Sequence, residues 1–141
     1  MKKLIYLFVL TLGIISCSSD DVKEIDNSDL IGKWNWTGTS GGLIYFEETA
    51  ETSGKTIHLT LMENYTYSIT ENENEISSGN YQLISKKSIY SGELERFIQF
   101  PENQQYTGIV MGGIIKTYEL DKLDISDNNY DGIGSGFVRI E

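Results

Sequence analysis

Alternation of apolar and polar residues is the feature that most constrains how this chain folds. Residues 57–61 read Ile-His-Leu-Thr-Leu, and residues 65–70 read Tyr-Thr-Tyr-Ser-Ile-Thr. Side chains two positions apart point to the same face of a strand, so each run predicts a strand with one buried face. The pair Glu63-Asn64 between the two runs suits a tight hairpin.

The same pattern continues over most of the chain after Leu30, with Gly, Asn and Asp at short intervals. No stretch has a convincing helical period, and roughly eight to ten short strands fit. The pattern predicts an antiparallel meander, as a sandwich or a barrel. Residues 38–54 are the least strand-like, which indicates a hairpin or a long loop at one end. Gly112-Gly113 suggests a bend or bulge, and Pro101 ends a strand.

The segment Gly32-Lys33-Trp34, on the first predicted strand, resembles the first motif of lipocalins and of small bacterial lipocalin-like lipoproteins. The order of later short segments agrees, including Ser78-Gly79-Asn80-Tyr81 and the ending at residues 131–140. The resemblance implies an all-β, antiparallel up-and-down barrel. It also implies that Arg139 on the last strand packs over Trp34 and helps to close the barrel, a contact worth about 0.5–2 kcal/mol.

The first seventeen residues resemble the leader of a bacterial lipoprotein. Lys2 and Lys3 precede a short apolar run, and Ile14-Ile15-Ser16-Cys17 resembles a lipobox. The run is shorter than the about 20 residues that span a bilayer. The resemblance implies cleavage of residues 1–16 and acylation of Cys17. It predicts a lipid-anchored protein of the bacterial cell envelope, at the outer membrane.

Residues 17–28 contain the lipidated cysteine and an acidic, Ser-rich run that reads as a tether, and residues 29–141 form the predicted lipocalin-like barrel domain. The Ser/Asp run also resembles export signals that send some lipoproteins to the cell surface. A plain solvated linker is the equal alternative.

The formal charge of the chain is −10, and removal of Lys2 and Lys3 with the leader makes it more negative. Such a field repels phosphate backbones, so nucleic acid is not an expected partner. A solvated surface explains the acidity without a dedicated cation site. Cys17 is the only cysteine, so we expect no disulfide within the chain.

Two short segments match catalytic or metal motifs, and neither has the expected context. Gly38-Thr39-Ser40-Gly41-Gly42 matches G-x-S-x-G, but a strand follows where hydrolases need a helix, and His58, the sole histidine, falls on a polar face. Residues 127–132 match the start of a calcium loop, but Val138 stands where a bidentate Glu is needed. An Asp-Gly hairpin turn is the alternative. We expect no catalysis, metal or cofactor.

Aromatic residues are the remaining lead to function. Period two points Tyr65 and Tyr67 to one face, and together with Trp36 and Phe97 they form a tentative pocket for a small hydrophobic or amphipathic molecule. That pocket would open at the end that bears residues 38–54. The alternative is that these rings fill the core and that the barrel presents its loops to another envelope protein.

Overall fold

The computed structural model describes residues 24–101 and 108–141, which form one short helix and ten strands. The all-β, antiparallel prediction with eight to ten strands is confirmed. The elements in chain order are β1 (Gly32–Gly41), β2 (Phe46–Thr49), α1 (Ala50–Ser53), β3 (Ile57–Leu61), β4 (Thr66–Glu71), β5 (Asn74–Asn80), β6 (Gln82–Lys87), β7 (Leu94–Gln99), β8 (Gly112–Tyr118), β9 (Lys122–Ser126) and β10 (Ile133–Arg139).

The strands form one curled sheet in the order β5-β4-β3-β1-β10-β9-β8-β7-β6, and every pairing is antiparallel. β2 and β3 pair with different halves of β1, on the edge that β10 does not use. A single residue, Tyr81, joins β5 to β6, so the chain passes directly from its pairing with β4 to its pairing with β7. This connection brings the two outer strands of the sheet together, as an up-and-down barrel requires.

The inward positions of the strands fill the barrel with large side chains. Trp34, Trp36, Leu59, Ile69 and Leu123 have no exposed surface, and further aliphatic and aromatic residues complete one continuous core. The hairpin at Glu63-Asn64 forms as the alternation predicts, with the Met62 amide donating to the Thr66 carbonyl. Interior packing of this kind is typical of small barrels.

Residues 38–54 contain a hairpin, which is one of the two alternatives that the sequence indicates. β1 runs on to Gly41 and forms a hairpin with β2, after which α1 makes one turn. Thr49 and Thr52 form a reciprocal capping box at the start of α1, and Gly54 ends it with a φ of 68°. Gly112 and Gly113, expected at a bend, begin β8. A Cβ at Gly113 would lie 2.2 Å from the Ser126 carbonyl oxygen, so glycine allows the close approach of β9.

The packed part of the chain begins before Asp29, inside the segment expected to be a tether. Asn27 is 5% exposed, and its side-chain amide donates to the Met62 carbonyl at 3.2 Å and the Tyr81 hydroxyl at 2.7 Å. Leu30 is fully buried in the core. Residues 27–30 therefore belong to the barrel, because they cover the β3–β4 hairpin and the start of β1.

Candidate functional site

One end of the barrel is closed by the contact that the sequence predicts between Trp34 and Arg139. The guanidinium of Arg139 lies 4.0 Å from the centre of the Trp34 ring, and the indole N–H donates to the Leu30 carbonyl at 2.8 Å. Arg139 also donates to the backbone carbonyls of Asp29, Ile31 and Leu120. The same arginine thus covers the ring and ties three chain segments together, and we call this the closed end.

A second arginine fastens the N-terminal segment at the closed end. Arg96 donates two hydrogen bonds of 2.6 Å to the carboxylate of Asp29, which also accepts one from the Thr117 hydroxyl at 2.8 Å. The Arg96 guanidinium holds the pKa of Asp29 below its ordinary value. The closed end is accordingly a structural element in which each of these polar groups has a partner.

Trp36, predicted in the pocket, is fully buried near the far end of β1. Its N–H donates to the Thr39 hydroxyl at 3.0 Å, and Thr39 in turn contacts the Gly108 carbonyl at 3.0 Å and the Ser135 hydroxyl at 2.7 Å. Ser135 accepts a hydrogen bond from the amide of Val110. Thr39 donates to Gly108, Ser135 donates to Thr39, and the buried network is complete without a ligand.

The other three residues of the predicted pocket lie in separate places. Tyr67 is buried in the core, with its hydroxyl 3.0 Å from Ser77 and its ring edge-on to Phe100. Tyr65 is half-buried and donates to the Ile25 carbonyl, beside a small surface groove of about 310 Å³. Phe97 precedes the core residue Ile98, so its side chain points to the opposite, outer face, where it packs under Lys86. The structure does not bring the four residues into one cavity.

The hydrolase and calcium motifs also find no supporting geometry. His58 pairs with Asn35 on β1, and Ser40 lies further along that strand by about 16 Å. In the turn at residues 127–132, Asn129 donates to the Asp127 carboxylate, and the Tyr90 hydroxyl contacts both backbone carbonyls. Within the described residues there is no group of three or more His, Cys, Asp or Glu side chains that could hold a metal ion.

The β1–β2 hairpin exposes four consecutive large apolar residues, which we call the hairpin tip. The exposed fractions are 83% for Leu43, 88% for Ile44, 70% for Tyr45 and 42% for Phe46. The tip adjoins the β9–β10 turn, where the Gly42 amide donates to the Gly132 carbonyl. Since β1 is ten residues long, the tip lies about 33 Å along the strand from the closed end.

The outer face of the barrel carries two adjoining grooves that share lining residues, and we call them together the outer groove. One part, of about 390 Å³, lies over β1 and β10, and the other, of about 500 Å³, lies under the β6–β7 loop. Asp124, Ser126 and Gly134 line both parts. Phe97 lies under Lys86 on this face, and Ile114 lies in the part of the groove under the loop, so both are shielded from solvent yet absent from the main core.

Three further findings bear on the site. Cys17 lies outside the described residues. No helix in residues 24–101 and 108–141 has the length and apolar character that a membrane crossing needs. Comparison of the chain with protein-family models, with curated proteins and with solved structures gives no match.

Sequence reasoning missed both exposed features. The hairpin tip had a signal, because Leu-Ile-Tyr-Phe between Gly42 and Glu47 breaks the alternation that a half-buried strand would show. The outer groove had no such signal in the sequence. Its walls come from several strands, and their pairing register is known only from the folded sheet.

Proposed function

We propose that this protein is a non-catalytic interaction module of the bacterial envelope, anchored through lipid on Cys17, whose filled lipocalin-like barrel presents the hairpin tip to another envelope protein. The observation that carries the proposal is the exposure of Leu43, Ile44, Tyr45 and Phe46. A run of exposed apolar residues marks an interaction surface in a folded protein.

The state of the interior favours this role over an internal ligand. Trp36 and Tyr67 are buried with their polar atoms satisfied by the protein itself. Neither ring lines any of five surface grooves on the described residues. A small molecule in the barrel would have to displace these packed side chains, with loss of their contacts.

The position of the tip fits a partner away from the anchoring membrane. The N-terminal segment is fastened at the closed end by Asn27 and Asp29. A lipid on Cys17 would therefore place the closed end toward the bilayer, with the hairpin tip pointing away from it. Glu47 and Glu51 follow the tip in sequence, and Glu48 between them pairs with Lys55, so the partner surface that fits is an apolar pocket with a basic rim.

Photocrosslinking in the native host tests the interaction. A photoreactive amino acid is placed at Tyr45 in the full chain, and a matched control carries it at Leu120, which is 86% exposed at the closed end. We expect a protein adduct of discrete mass from position 45 and not from position 120. Absence of a protein adduct at 45, or adducts with lipid alone, would contradict the proposal.

Two measurements test the other parts of the proposal. Labelling with a fatty-acid probe should mark the wild-type chain and not Cys17→Ser. Equal labelling of the two would contradict the proposed lipid anchor on Cys17. Native mass spectrometry of protein purified from its host should show the mass of the polypeptide with its lipid. A further small molecule bound in stoichiometric amount would instead support the internal-ligand function.

A further inference from the structure

The outer groove exists because outward positions on two adjacent strands are glycines. Gly38 on β1 pairs with Gly136 on β10, and Gly134 pairs with Ser40. A Cβ at Gly134 would lie 3.2 Å from the Ser126 hydroxyl oxygen, and a Cβ at Gly136 would lie 3.1 Å from the Thr37 hydroxyl oxygen. Side chains at these positions would therefore fill the groove, and their absence leaves a strip of bare backbone as its floor.

Five of the polar side chains around this floor have no partner within the described residues, whereas Thr39, Thr49 and Ser135 are hydrogen-bonded to the protein. None of the described residues hydrogen-bonds to, or forms an ion pair with, the side chains of Thr37, Ser40, Glu47, Asp124 and Ser126, all of which line the groove. Lys116 is the cross-strand neighbour of Asp124, but its ammonium pairs with Glu95 at 2.5 Å. Asp124 is thus left with a free carboxylate, and partial desolvation in the groove raises its pKa.

These groups define the chemistry of a matching ligand. Carboxylates only accept hydrogen bonds, whereas the three hydroxyls both donate and accept. Asp124 and Glu47 on opposite sides of the floor repel anions, as does the overall charge of −10. A ligand with many neutral hydroxyl donors satisfies such a site. That description fits a sugar and excludes phosphates and acidic polymers.

The second part of the groove adds tyrosine rings to the hydroxyls and carboxylates. Tyr90 and Tyr118 both line it, and their exposed fractions are 60% and 45%. The hydroxyl of Tyr90 lies 2.5 Å from the Asn129 carbonyl and 3.2 Å from the Asp127 carbonyl, which fixes the direction of its ring. Rings held in this way offer apolar surface against which the C–H face of a sugar packs.

We infer that the outer groove is a binding site for a neutral oligosaccharide, with Asp124 accepting hydrogen bonds from its hydroxyls. The strip of Gly134 and Gly136 lets a sugar ring approach the sheet, and the part under Tyr90 receives the next residue of the chain. The two parts together span from the β1–β2 hairpin to the β6–β7 loop. Glu47 borders both this groove and the hairpin tip, whereas the apolar residues of the tip line neither part of the groove.

Calorimetric titration with neutral oligosaccharides tests the inference. The probes are cellotetraose, chitotetraose and maltotetraose, with a heparin tetrasaccharide as the anionic comparison. We expect saturable binding of at least one neutral probe to the wild-type protein and none of the anionic one. Asp124→Asn should weaken binding about tenfold, as loss of a hydrogen bond to a charged group does. Gly134→Val should abolish it by filling the floor.

Two control variants keep the result interpretable. Asp121→Asn makes the same chemical change on the β8–β9 turn, outside the groove, and should bind as the wild type does. Leu43→Ser in the hairpin tip should also leave sugar binding unchanged, which separates this site from the proposed protein interaction. Circular dichroism confirms that each variant is folded. Equal binding by all variants, or no saturable binding of any neutral probe to the folded protein, would overturn the inference.

Discussion

At the closed end of the barrel, Arg139 and Arg96 hold separate chain segments together through hydrogen bonds, whereas Leu43 and Ile44 at the hairpin tip face solvent. Arg139 lies on the Trp34 ring and donates to three backbone carbonyls, while Leu43 and Ile44 are more than four-fifths exposed. The same strand, β1, joins the two regions. One end of the strand is thus covered by side chains that contact each other, and the other end carries exposed apolar residues that are free for recognition.

The closed end and the outer groove also differ in whether their carboxylates have partners. Asp29 at the closed end accepts three hydrogen bonds, and its carboxylate is held by Arg96. Asp124 in the outer groove has no partner within the described residues. Because an ionised carboxylate with partners stabilises the fold and one without partners does not, the two aspartates should respond differently to substitution.

Trp34→Ala should give the largest loss of stability. Removal of a fully buried indole leaves a cavity, and no new contact replaces the ones that are lost. We therefore expect a loss of about 3–5 kcal/mol in the free energy of unfolding. Thermal unfolding measures this as a fall of about 10 °C or more. Tyr130→Ala, at a site 86% exposed, is the control and should change little. Similar shifts in both variants would erase the contrast between core and surface.

Thr39→Val tests whether the interior near the hairpin tip is as tightly specified as the closed end. The substitution keeps the shape but removes the acceptor of the Trp36 N–H and the partner of Ser135. Leaving these groups buried and unsatisfied costs about 1–3 kcal/mol, which chemical denaturation detects. Thr37→Val, on the solvent side of the same strand, is the matched control. No difference between them would indicate that water reaches Trp36.

Asp29→Asn should destabilise the protein by about 1–2 kcal/mol at neutral pH, a value reduced for the partial exposure of the pair. The folded-state pKa of Asp29 is lowered by Arg96, so its stabilising contribution is present above the ordinary pKa of 3.8 and is lost as pH falls through the lower folded value. The stabilities of wild type and variant should therefore begin to converge below about pH 4 and meet only below the folded-state pKa of Asp29. Glu119→Gln, in an exposed pair with Lys122 that also lowers the pKa of Glu119, should show both effects much more weakly because water screens the pair.

The sequence predicts the inward faces well where alternation is strict. Leu59 and Ile69 are fully buried, as the runs at 57–61 and 65–70 indicate. It does not resolve Phe97, because Phe97 and Ile98 are adjacent apolar residues and either could face inward. Ile98 faces the core, and Phe97 is covered on the outer face.

Contacts between distant segments explain the rest of what the sequence leaves open. In the sequence, Asn27 belongs to a polar segment that reads as a linker. In the folded protein it is hydrogen-bonded to the Met62 carbonyl and the Tyr81 hydroxyl, which are distant in sequence. The groove needs the pairing of Gly38 with Gly136, which depends on the bulge between Trp36 and Gly38. By contrast, the contact of Trp34 with Arg139 is expected because the resemblance to lipocalins names both residues.

Leu43→Ser combined with Ile44→Ser should give the smallest effect on stability and therefore tests the comparison most sharply. Both side chains are more than 80% exposed, so the folded protein loses almost no buried apolar surface when they are replaced. We therefore expect a change within about 0.5 kcal/mol in the free energy of unfolding. The same variant should lose the protein adduct that a photoreactive group at position 45 forms. A stability loss of several kcal/mol would mean that the tip packs against the protein itself, and the adduct would then report folding instead of recognition.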